Sequence, residues 1–286
     1  MRTPPALGTD QPSTIPPAWS DPPSDLWTRS WHATAPRQVV EAYQEGDLPR
    51  GWSLWAAHLR HRKRPAEAGQ LWSDKTSPLL WAVAALPADS NTVRLLQQLH
   101  PLVRGKQRAG PEAVEWIAAW LDEATQPGRD VADDLECVAW SYALVPLARH
   151  AAPQLWWELL AHLLAAARQG EDEDIERDPV RYSLLAGELA LSLAWQFPEL
   201  KPCRRLGKTA RRALSALVVE LLDGEGMPHA RQLGELPLLT ATWTRCRAIG
   251  SQLKENCWNA KAERQYEWLV TQNLRLADPH GAWLLA

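Results

Sequence analysis

The residues best suited to chemistry stand together in Leu221-Leu222-Asp223-Gly224-Glu225-Gly226-Met227-Pro228-His229-Ala230-Arg231, a polar stretch between two long apolar-periodic segments. Two glycines permit positive φ and close backbone approach, and an acid, a histidine and an arginine can converge there on one small polar or anionic ligand. In that arrangement His229, oriented by Glu225, would act as a general base, and Arg231 would neutralise a carboxylate. Trp243, the indole nearest in sequence, offers a stacking face. Asp223 and Arg245 complete the substrate-binding candidates, and Tyr266 is a further catalytic candidate. Ordinary helix chemistry competes with this reading: glycines follow helix ends, and His229 and Arg231 can cap the next helix. Tyr266 lies near Trp258, Ala262 and Leu269 and also fits a packing role. His280, in Asp278-Pro279-His280-Gly281, is a further possible member of a site.

A second constellation is electrostatic. Arg204, Arg205, Lys208, Arg211 and Arg212 follow Lys201 with no acid before Glu220, while Leu206, Ala210, Ala213, Leu214, Leu217 and Leu221 form the opposite, apolar face. Such a helix offers docking for a polyanion or an acidic protein partner. The alternative is a solvated face neutralised by the acidic run Glu171-Asp172-Glu173-Asp174 with Glu176 and Asp178. The run Arg60-His61-Arg62-Lys63-Arg64 needs only the negative end of a helix dipole.

These residues must be positioned by helices. From Pro36 onward apolar positions recur at helical spacing between Pro and Gly punctuation, with no period-2 strand pattern. The expected helices cover 36–45, 50–63, 77–86, 91–104, 111–125, 131–150, 153–169, 179–196, 202–222, 232–249 and 257–277. Residues 1–35, proline-rich and lacking periodic apolar positions, are expected to be a disordered leader, with Trp19, Trp27 and Trp31 as possible anchors. Residues 36–286 then form one all-α domain of antiparallel helical hairpins, arranged as an incomplete α/α toroid or an open α-array.

Composition narrows the functional classes. Thirty-one Lys+Arg against 34 Asp+Glu give a net charge of -3, which disfavours a general nucleic-acid or anionic-membrane binder. Cys137, Cys203, Cys246 and Cys257 match no zinc or redox spacing and read as reduced core thiols. No metal or other cofactor is implied. The absence of a signal-like or membrane-spanning run makes a cytoplasmic location the expectation. Seventeen tryptophans against one phenylalanine allow two uses, helix packing and sugar stacking, of which packing is the commoner for any single indole.

Leu184-Leu185-Ala186-Gly187-Glu188-Leu189, the helix end Glu220-Leu221-Leu222-Asp223-Gly224, and the later Trp243-Thr244-Arg245 resemble the helical half of heparinase II/III-type polysaccharide lyases. Trp268-Leu269-Val270 and Leu274-Arg275-Leu276-Ala277-Asp278-Pro279-His280-Gly281 extend the resemblance, which covers roughly residues 180–286. It implies an α/α toroid and binding of acidic polysaccharide. It also implies elimination of a uronate by carboxylate neutralisation, C5 proton abstraction and leaving-group protonation, with Tyr and His as acid and base. Asp223 and Gly224 carry over, and His229 would be a displaced substitute. Leu233-Gly234 stand where the family has a Tyr-His pair, its Asn-Asn-His element is absent, and no β-rich region follows in this sequence. A domain that binds acidic polysaccharide without turning it over is one expectation; a non-catalytic helical scaffold for a protein partner is the alternative.

Overall fold

The computed structural model describes residues 28–62, 90–104, 110, 112–124 and 130–276. Within them the chain is all-α. The helices are α1 (Arg37–Gln44), α2 (Leu48–His61), α3 (Asn91–Val103), α4 (Glu112–Ala124), α5 (Val131–Leu147) and α6 (Pro153–Glu171). A continuous α7 follows in three pieces: Pro179–Tyr182, a π-helical turn Ser183–Leu189, and Ala190–Gln196. Then come α8 (Lys201–Leu221), a 3-10 turn (Ala230–Glu235), α9 (Leu236–Gly250) and α10 (Ala260–Leu276). No named strand occurs among the described residues; two isolated bridges join Trp31 to Leu200 and Leu222 to Pro228. No helix among them is long and apolar enough to cross a membrane. The expected helix 77–86, Trp19, Trp27 and His280 lie outside the described residues.

Local chemistry sets the boundaries. Asp47, Ser90, Asp130 and Asp178 accept backbone N–H groups at the starts of α2, α3, α5 and α7, and Asp130 with Asp133 forms a reciprocal capping box. Prolines near the starts of α6, α7, α8 and α9 occupy positions where no intrahelical N–H is needed.

The π-helical turn is the hub of the packing, touching α5, α6, α8 and α9. A packed helix, with Leu184, Leu185, Ala186 and Leu189 fully buried, therefore fills the middle of the molecule. Gly170 permits the approach of α6: a Cβ there would sit 2.4 Å from Leu185 Cβ and 2.7 Å from Ala186 N. All four cysteines are buried in the core and none is in a disulfide.

Residues assigned by sequence to the leader are part of this body from Ser30 onward. Lys201 N donates to Ser30 O at 2.7 Å and His32 N donates to Glu199 O at 2.7 Å. Between them Trp31, 6% exposed, packs on Tyr43, Trp55 and Trp157. Trp31 is thus an anchor, and the disorder expected through residue 35 does not extend to residues 30–35: proline content predicts irregular backbone, but a buried indole and backbone hydrogen bonds on either side hold it in place.

Candidate functional site

The loop after α8 is built from its own backbone. Asp223 Oδ1 accepts from Glu225 N at 2.8 Å and Met227 N at 3.0 Å, an Asx-type turn that ties this oxygen to the loop backbone. Gly226, at φ 82°, presses onto α10: a Cβ there would lie 2.6 Å from Trp268 Cβ and 2.7 Å from Leu269 N. His229 caps the 3-10 turn, its Nδ1 accepting from Arg231 N at 3.4 Å. Arg231 reaches away to Glu176 O at 3.5 Å. No hydrogen bond joins Glu225 to His229 among the described residues.

The remaining candidates are not brought to that loop. Trp243 is fully buried and donates its Nε1 to Ser183 Oγ at 3.0 Å, so it offers no stacking face. Tyr266, 5% exposed, shares a hydrogen bond with Thr244 Oγ1 at 2.8 Å and packs on Trp258, and burial raises its phenol pKa. Arg245 is 2% exposed and forks onto Glu188: Nε donates to Oε1 at 2.5 Å and Nη2 to Oε2 at 2.7 Å. Tyr142 OH donates to Glu188 Oε1 at 2.8 Å, and Arg245 Nη2 to Thr242 Oγ1 at 3.1 Å. Burial pulls the Arg245 pKa down, but the Glu188 charge and hydrogen bonds outweigh it and leave the guanidinium raised. Burial, then the Glu188 charge, pushes the Tyr142 phenol up. This buried cluster has the chemistry of a satisfied structural network.

Helical phase explains both misplacements. Leu236, Leu239, Trp243, Cys246 and Gly250 follow one another at 3-4 spacing, and all are buried. On α10, Ala262, Tyr266, Leu269 and Asn273 do the same, which leaves Trp268 on the opposite face. The structure therefore substitutes Trp268, 46% exposed, for Trp243 as the indole beside the loop.

The basic face of α8 is a concave surface. Arg204, Lys208, Arg211 and Arg212, together with Lys254 and Lys261 from the opposite wall, line a groove of about 1090 Å³. Glu220 and Glu255 are its acids; Ala194, Ala216, Val219 and Leu253 supply its apolar floor. Arg205 lies outside the lining. None of the six cations forms an ion pair among the described residues, and Arg211 Nε is buried without a hydrogen-bond partner. Among the described residues no ion pair joins the acidic run before α7 to the cations of α8: Glu173 pairs with Arg181 at 2.8 Å, and Asp178 caps α7. Asn256, at φ 62°, and Asn259, whose N donates to Ser215 Oγ at 3.0 Å, shape the facing wall.

In comparisons with family models, with curated proteins and with solved structures, the chain has no match.

Proposed function

We propose that this domain binds an acidic polysaccharide along the α8 groove, as a divergent relative of the helical half of heparinase II/III-type lyases that holds the chain without cleaving it. The observation that carries this reading is the unpaired charge: six cations against two acids in one groove, on a chain whose overall charge is -3. Concentrating cations in a cleft focuses the field and favours a ligand that brings its own anions. The helix also sets a repeat. At a rise of about 1.5 Å per residue, Arg204, Lys208 and Arg211 stand about 6 and about 10 Å along the axis, a ladder suited to a linear chain of evenly spaced carboxylates or sulfates.

Binding without turnover follows from the separation of the acid/base candidates. His229 is committed to its local cap, Tyr266 to Thr244, and Arg245 to Glu188. No group of that set shares a cavity with the groove lining.

Calorimetric titration with a size-defined heparin octasaccharide tests the reading. Saturable binding is expected, weakening steeply with salt as cations and counterions exchange. The combined Arg204→Gln, Lys208→Gln, Arg211→Gln, Arg212→Gln variant should lose at least about tenfold in affinity, and no unsaturated uronate should form, as read by ultraviolet absorbance. Equal binding by wild type and variant overturns the groove assignment. Binding of a poly-glutamate peptide but not of the octasaccharide would favour the acidic-protein partner instead.

A further inference from the structure

We infer that Trp268 forms a saccharide-stacking subsite beyond the end of the basic groove, where a pyranose ring of the acidic chain lies on the open indole face. This rests on the acidic-polysaccharide reading and adds to it a site that recognises the sugar ring itself.

Three observations carry it. Among the described tryptophans Trp268 alone is exposed, at 46%, while Trp31, Trp55, Trp156, Trp243 and Trp258 are buried. An indole is rarely left in water on a helix whose other large rings are inside. Second, it lines a cavity of about 340 Å³ whose other walls are Gly224, Glu225, Thr271, Gln272 and Arg275. That volume lies in the range of small-ligand sites, and one apolar face ringed by carboxylate, hydroxyl, amide and guanidinium groups matches a ring with C–H faces and hydroxyl edges. Third, the site is held in shape. Gly226 clamps the loop backbone against the base of Trp268, Gln272 Nε2 donates to Glu225 O at 3.1 Å, and Arg275 Nη1 donates to Gln272 Oε1 at 3.3 Å.

Position and the single aromatic face select the occupant. The groove lining runs to Val219 and Glu220 at the end of α8, and the cavity begins with Gly224 and Glu225 in the loop that follows. A cationic ligand, the other partner of an indole face, would meet Arg275 as well as Glu225 on the rim, so no net charge draws it in, and it has no second ring to complete a cage.

The test compares two polyanions on the full chain: the heparin octasaccharide and an inorganic polyphosphate of similar charge. Trp268→Ala should weaken octasaccharide binding roughly three- to tenfold, the scale of aromatic stacking, and leave polyphosphate binding unchanged. The four-Gln groove variant should weaken both. In 5-fluorotryptophan-labelled protein, the fluorine resonance assigned by Trp268→Phe should move with the octasaccharide and stay still with polyphosphate. If Trp268→Ala leaves octasaccharide affinity intact while the groove variant loses it, stacking is overturned and the groove reading stands. If wild type binds polyphosphate but no octasaccharide, or binds neither, the polysaccharide reading falls and the subsite falls with it. A loss of equal size for both ligands in Trp268→Ala also overturns stacking, because the ring would then serve the structure or the charge and not the sugar.

Discussion

Charge is treated in opposite ways at the centre of this molecule and on α8. Glu188 and Arg245, 0% and 2% exposed, are joined by two hydrogen bonds and further tied to Tyr142 and Thr242. On α8, Arg204, Lys208, Arg211 and Arg212 face a groove with no acid paired to them among the described residues. A buried ion must be matched to exist, so its pairing says little about function; exposed cations gathered without partners are a surplus that the fold does not require. Function is therefore sought in the groove. Glu188, within the Leu184–Leu189 stretch that carries the resemblance, and Arg245, a substrate-binding candidate, are explained by stability.

The largest effect that tests this contrast is at the centre. Arg245→Ala leaves Glu188 buried without its cation and should cost about 3–5 kcal/mol, read as a fall in the denaturation midpoint. Glu188→Leu combined with Arg245→Met removes both charges and should recover much of that loss. If Arg245→Ala were close to neutral, the cluster would not be a structural pair, and a role in binding would have to be sought for it.

Much of this arrangement is legible in the sequence because one rule governs it. Apolar spacing of three and four fixes the helices, and expected 91–104, 179–196 and 202–222 correspond closely to Asn91–Val103, Pro179–Gln196 and Lys201–Leu221. The basic face of α8 is equally legible, since its cations and its leucines separate cleanly around one helix. The lines of the site that depend on tertiary partners are not. Nothing local marks Glu188 as the partner of Arg245, which is 57 residues away. Nearness in the chain points to Trp243, whereas the phase of the buried stripes on α9 and α10 puts Trp243 inside and Trp268 outside. The π-helical turn at Ser183–Leu189 likewise has no signature in spacing.

A buried group without a counter-charge gives the next effect. Tyr43, 3% exposed among the rings of Trp31 and Trp157, has its phenol pKa raised by burial from its usual value near 10 to about 12. The native state then keeps a proton that the unfolded chain releases first. Stability is accordingly whole below about pH 10 and falls as pH rises from about 10 to about 12, by at most about 2–3 kcal/mol. Tyr182, Tyr142 and Tyr266 shift in the same direction. Tyr43→Phe should therefore reduce the alkaline slope, measured by urea denaturation across that range, without abolishing it. An unchanged slope would mean that Tyr43 is hydrated in the native state.

The smallest expected effect is the most informative about α8. Arg204, Lys208, Arg211 and Arg212 lie three and four residues apart, so they repel along one helix face and gain nothing from ion pairs. Replacing all four by Gln should leave folding stability within about 0.5 kcal/mol, with any change a gain at low salt. Raising the ionic strength screens the repulsion in the wild type and should erase that gain, because the Debye length drops to about 3 Å at 1 M. The same variant should lose octasaccharide affinity, so stability and binding are expected to move apart. A groove that served the fold would show them moving together, with the four-Gln protein melting lower at every salt concentration. That outcome would make the α8 cations structural, as Arg245 is, and would remove the distinction on which the assignment of the groove rests.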